Sequence, residues 1–152
     1  KYDFSGYQCA PLGAPPDVAR QRGCRLDTFS LHWYPANRYE DNDTLKLMTE
    51  FTDMDWPRFY DPEARHKMDG FNPADKQAWV SKKEHLWHCG YLLMQTHLWI
   101  TKGFDPPVNY EHTEHCTRTL LKTIELDPPP DLEDIKSNIK TPEQPEHWPI
   151  VS

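Results

Sequence analysis

The apolar positions of this chain fall into a few periodic blocks separated by polar, proline-rich stretches. Thr28-Phe29-Ser30-Leu31-His32-Trp33-Tyr34 is β-prone and alternating, with Phe29, Leu31 and Trp33 on one side and Ser30, His32 and Tyr34 on the other. It predicts a strand ended by Pro35, with His32 on the polar face. Leu47, Met48, Phe51 and Met54 have helical spacing behind Asn42 or Asp43 as cap, and Trp56-Pro57 stops that helix. The longest periodic segment runs from Ala74 to about Ile100. Val80, Trp87, Tyr91, Met94 and Leu98 recur on one helical face, Glu84 falls on that stripe, His88 lies a turn beyond it, and Gly90 predicts a break near Cys89-Gly90. Asn109 caps a further helix, Tyr110 to Glu125, that carries Cys116, Leu120, Leu121 and Ile124 inward until the prolines at 128–130 stop it. Residues 1–26 are expected to be irregular and stapled by Cys9–Cys24. Residues 131–140 fit a short helix or an edge strand, and 141–152 an extended tail.

Composition bounds what these blocks can build. A length of 152 residues fits one domain, 1–152, and 12% aromatic residues supply enough bulk for a core despite few branched aliphatics. The 15 prolines, about twice the usual share, point to short, stiff connections. No run of apolar residues is long enough to cross a membrane as a helix, so no membrane partner is expected. A net charge of −7 argues against a protein that coats phosphates with Lys and Arg, but leaves room for an enzyme holding a few nucleotides in a cleft. Cys9, Cys24, Cys89 and Cys116 form an even set without a C-x-x-C pair, which favours two disulfides in an oxidising compartment, with three pairings open. Asn42-Asp43-Thr44 is a glycosylation sequon, making Asn42 a candidate glycan site.

Several constellations could carry chemistry. His32 on its strand, with Glu84 and His88 four apart on a helix face, would supply two imidazoles and a carboxylate for acid–base work; unperturbed imidazole titrates near ~6.5 and can serve in either state. Lys83 adjoins them and could face a developing anion. Against this stands the plain alternative of polar residues on a helix and a strand edge. The segments Glu84-His85-Leu86-Trp87-His88 and Glu111-His112-Thr113-Glu114-His115 each offer a histidine pair, at 85 and 88 and at 112 and 115, that a metal could use. Neither has the H-E-x-x-H order of zincins, so a solvated helix face is preferred and no metal is expected. Cys89 follows His88, but neighbouring helical side chains point about 100° apart, which favours a disulfide over an activated thiol. Trp33, Tyr34, Trp56, Trp87 and Trp99 could stack on bases, and most are assigned to the core.

The order of these pieces carries a resemblance. Phe29-Ser30-Leu31-His32-Trp33-Tyr34-Pro35 resembles the first active-site segment of the ribonuclease T2 family, Phe-Thr-Ile-His-Gly-Leu-Trp-Pro. Lys82-Lys83-Glu84-His85-Leu86-Trp87-His88-Cys89-Gly90 is similar to its second, Lys-His-Glu-Trp-Glu-Lys-His-Gly-Thr-Cys, and Gly103 to Tyr110 is similar to a later Gly-Ile-x-Pro-x-x-x-Tyr stretch. The resemblance covers roughly residues 24–140; the first segment lacks the glycine, and Trp87 stands where the family has lysine. It implies an α+β fold, a ribonuclease T2-like antiparallel sheet with flanking helices. It further implies cleavage of single-stranded RNA, not DNA, through a 2′,3′-cyclic phosphate by a secreted or lysosomal/vacuolar monomer that needs no cofactor. In that scheme His32 protonates the leaving 5′ oxygen, His88 takes the 2′-hydroxyl proton, Glu84 and Lys83 stabilise the pentacovalent phosphate, and Trp33 and Tyr34 are candidates for base stacking. The alternative is a catalytically inactive secreted binding protein that retains the fold.

Overall fold

The computed structural model describes Cys9, Ser30, Ile135 and residues 16–27, 32–69 and 78–133. Helix α1 (Pro16–Gln21) leads into strand β1 (Cys24–Leu26), which pairs antiparallel with β2 (Trp33–Pro35); a 3₁₀ turn (Ala36–Tyr39) and helices α2 (Asn42–Thr52), α3 (Lys82–Thr101) and α4 (Tyr110–Leu126) follow. The class is mixed helix and antiparallel strand, and the described sheet has two strands in the register Cys24↔Pro35, Arg25↔Tyr34, Leu26↔Trp33.

The stretch before residue 27 is more regular than expected. Pro16 supplies a φ already suited to a first helical turn, and Gly23, at φ 76°, takes the left-handed conformation that turns α1 into β1. Cys9 and Cys24 are disulfide-bonded, and with Ala19 they form a small cluster under Trp33, over which Arg20 lies 5.7 Å from the ring centroid. Among the described residues of the predicted strand, Ser30 sits in a turn and Trp33–Pro35 pair; Thr28, Phe29 and Leu31 lie outside the described residues, as do 74–77 and the tail 141–152.

The main core joins Tyr39, Met48, Phe51, Leu92 and Trp99 with the thiols of Cys89 and Cys116. α2 is capped by Asp41, which accepts from the Thr44 amide at 2.8 Å, and not by Asn42 or Asp43; Asn42 is exposed in its first turn. The helix stops at Thr52, before Trp56, whose indole N–H donates back to the Phe51 carbonyl at 2.7 Å. Lys102, after α3, is ion-paired to Asp41. Burial opposes ionisation of that carboxyl, but hydrogen bonds from Lys102 and Thr44 prevail and hold it down at about 2.

α3 corrects two expectations. It runs unbroken through Gly90 for 20 residues, because packing of the helix outweighs a glycine penalty of about 1 kcal/mol. Its buried face is Glu84, Cys89, Leu92, Gln95 and Trp99, whereas Trp87 and Met94 from the predicted stripe are 42% and 45% exposed. The polar members of that face are paired. Gln95 Nε2 donates to the fully buried Asp27 at 2.6 Å; Tyr39 Oη (3.0 Å) and the Ser30 amide (2.8 Å) donate to the same carboxylate, tying the end of β1 to α3. α4 begins where predicted, with Asn109 accepting from the His112 amide at 3.0 Å. Cys116 is its one buried residue, Leu120 packs partly against the core, and Leu121 and Ile124, expected inward, are 57% and 44% exposed.

Candidate functional site

The first turn of α3 is fixed from outside. Ser81 caps it by accepting from the Glu84 amide at 3.0 Å, and the Glu84 side chain turns to Arg58, whose Nε and Nη2 both bind Oε1, at 2.8 and 2.7 Å. Both side chains are buried, and Glu84 Oε2 is buried without a hydrogen-bond partner. Glu84 is therefore committed to holding Arg58, and its role is to anchor the turn that presents His85 and His88. Lys83 goes elsewhere. It lies over Trp87 and Trp56, 5.6 and 5.8 Å from their ring centroids, about 140° round the helix from His88. The expectation that Lys83 supports the same centre is corrected: indole faces hold its ammonium on another side of α3.

Where α3 meets α4, the two E-H-x-x-H segments face each other. His85 packs on His115 at 5.7 Å between ring centroids and His88 on His112 at 5.8 Å; within each helix His85–His88 and His112–His115 are both 6.4 Å. The four rings make a rectangle whose pairs run in opposite directions along the two helices. Cys116, one turn after His112, is buried beside it, and one ligand-capable atom each from His88, His112 and Cys116 lies within 4.8 Å of the other two. His112 Nε2 is buried and has no hydrogen-bond partner. Burial, and then the imidazoles of His115, His32 and His85, push the His112 pKa down.

His32 belongs to the same neighbourhood, since it acts electrostatically on His112. It is exposed just before β2, and its Nδ1 lies 2.7 Å from the Ser30 carbonyl. A carbonyl can only accept, so Nδ1 carries the proton and Nε2 is the atom turned to other work. The aromatic residues beside it have partners within the fold, and Tyr34 stacks on His32 itself at 6.4 Å between centroids. Tyr34 is packed edge-on against Trp99, 4.9 Å between centroids, with its hydroxyl donating to the Pro107 carbonyl at 2.6 Å; burial pushes that hydroxyl up to about 12. Trp33 is half-buried against the disulfide cluster.

The second predicted disulfide is absent. Cys89 and Cys116 are buried thiols that share a hydrogen bond; burial, then Cys116, pushes the Cys89 thiol up to about 12, and burial pushes the Cys116 thiol up as well, the hydrogen bond from Cys89 opposing it only in part. The groove between α2 and α3, which includes Leu47, Met94 and Leu98 in its lining, contains none of these histidines.

No family model, curated protein or solved structure matches this chain. The site therefore rests on its own geometry. Of the residues expected in it, His88 lies against His112, His32 acts electrostatically on that ring with Tyr34 stacked beside it at 6.4 Å between centroids, Glu84 anchors the turn through its ion pair, and Lys83 and Trp33 are held on other partners. His112, His115 and Cys116 were missed as partners, although the repeated E-H-x-x-H pattern was the signal that α3 and α4 could meet through their histidines.

Proposed function

We propose that this chain is an endoribonuclease that cleaves single-stranded RNA by transphosphorylation, using His32 and His88 as its acid–base pair. The observation that carries this is that His88 rests against the ring of His112, 5.8 Å between centroids, while His32, far apart in sequence, acts electrostatically on that same ring. The order of the two segments bearing them, Phe29–Pro35 and Lys82–Gly90, supports the same family of chemistry. The two-stranded sheet with its helices is taken as the described part of a ribonuclease T2-like fold.

The steps follow from the side chains. His88 removes the proton of the ribose 2′-hydroxyl, the 2′ oxygen forms a bond to phosphorus, and the bond from phosphorus to the 5′ oxygen breaks. His32 Nε2–H, oriented by the Ser30 carbonyl at Nδ1, delivers a proton to that leaving oxygen. The products are a 2′,3′-cyclic phosphate and a free 5′-hydroxyl. His112 has at least one N–H in either protonation state and offers it to a non-bridging phosphate oxygen. The need for a 2′-hydroxyl restricts the reaction to RNA. The Cys9–Cys24 disulfide and the exposed Asn42 sequon fit a secreted or lysosomal/vacuolar protein.

A second function, retention of RNA or another partner without cleavage, is favoured by the placement of Lys83 on Trp56 and Trp87, which leaves the centre without that cation. Incubation of the purified protein with single-stranded RNA in EDTA at mildly acid pH separates the two. Wild-type cleavage is expected to survive the chelator and to fall about 10²–10⁴-fold in His32→Ala and in His88→Ala. Absence of wild-type cleavage, or cleavage by either variant at the wild-type rate, overturns the enzymatic proposal.

A further inference from the structure

We infer that His88, His112 and Cys116 form a binding site for a borderline-soft divalent transition metal of the zinc class. Two imidazoles and a thiolate are a donor set that suits such ions, and three protein ligands leave the fourth tetrahedral position for water. One donor atom from each residue already lies within 4.8 Å of the others. Bonds of 2.0–2.3 Å to a common ion place tetrahedral donors roughly 3.5 Å apart, so closing the site needs side-chain movements of about 1 Å. Two further observations point to a ligand. His112 Nε2 is buried without a hydrogen-bond partner, a cost that coordination would remove. Cys116 is buried on α4 one turn after His112, so its sulfur is held beside the two imidazoles and away from solvent, where a bound cation is the charge that would offset the cost of its thiolate.

The helices supply the rigidity. His112 and Cys116 are four apart and lie on one face of α4, whose first turn Asn109 fixes, while His88 comes from α3 at the point where the two helices pack. His85 and His115 complete the rectangle beside the three ligands. The assignment does not depend on ribonuclease activity.

Cobalt(II) serves as the probe, because it takes the same geometry as zinc and reports thiolate ligation by absorption. Titration of the metal-free 152-residue chain, with the Cys9–Cys24 disulfide intact and Cys89 and Cys116 as free thiols, is expected to give saturable binding near one equivalent, with the visible bands of tetrahedral cobalt and a thiolate-to-cobalt charge-transfer band. Addition of zinc should bleach both. Cys116→Ser should lose the charge-transfer band, His112→Gln should lose saturable binding, and Cys89→Ser should keep the band. A wild-type protein that shows no charge-transfer band overturns the site whatever the variants do, and so does a band that persists in Cys116→Ser.

Discussion

Arg58 is the residue whose loss the fold should feel most. Its guanidinium is the partner of a carboxylate that is 5% exposed, so truncation leaves a buried, uncompensated charge. Arg58→Ala is expected to lower unfolding free energy by about 3–5 kcal/mol, read from urea denaturation; a loss below about 1 kcal/mol would mean that Glu84 reaches solvent and is available to substrate. Individual roles were legible in the sequence only where the chemistry is local. Asn109 was identifiable as a cap because it bonds an amide three residues on, and His32 and His88 because the segments around them carry a pattern. Glu84 and Lys83 were not, because their partners, Arg58 and Trp56, lie some two dozen residues away and compete with any substrate for them.

At the scale of elements, α3 is the informative case. Its buried face carries Glu84 and Gln95, so apolar periodicity marked the wrong stripe; those polar groups are buried because Arg58 and Asp27 satisfy them. Gly90 sits in the middle of the helix, and a methyl group added there would meet nothing within 4 Å. Gly90→Ala is therefore expected to stabilise the protein by about 1 kcal/mol, raising Tm by about 2–4 °C in a thermal melt. A fall in Tm would show instead that α3 bends at this position. The short β2 has a comparable cause. Ser30 is drawn into a turn by its amide's bond to Asp27, and among the described residues the pairing of this segment is confined to Trp33–Pro35.

Across the whole molecule, function depends on how α3 and α4 dock, and no local pattern encodes that. The two E-H-x-x-H segments were visible as an echo, and separately each fits a solvated helix face; together they make a cluster of imidazoles with a buried thiol. His88 then has two uses that exclude each other, since a lone pair given to a metal cannot take a proton from a ribose. On the proposed mechanism the nucleolytic form is the metal-free one. Its central claim is tested most directly with an oligodeoxynucleotide containing one ribonucleotide, incubated with the protein in chelator and analysed by mass spectrometry. A single cut on the 3′ side of that ribose, leaving a 2′,3′-cyclic phosphate and a 5′-hydroxyl, is the predicted result; an intact strand, a cut at any deoxynucleotide, or a product bearing a 5′-phosphate would contradict it.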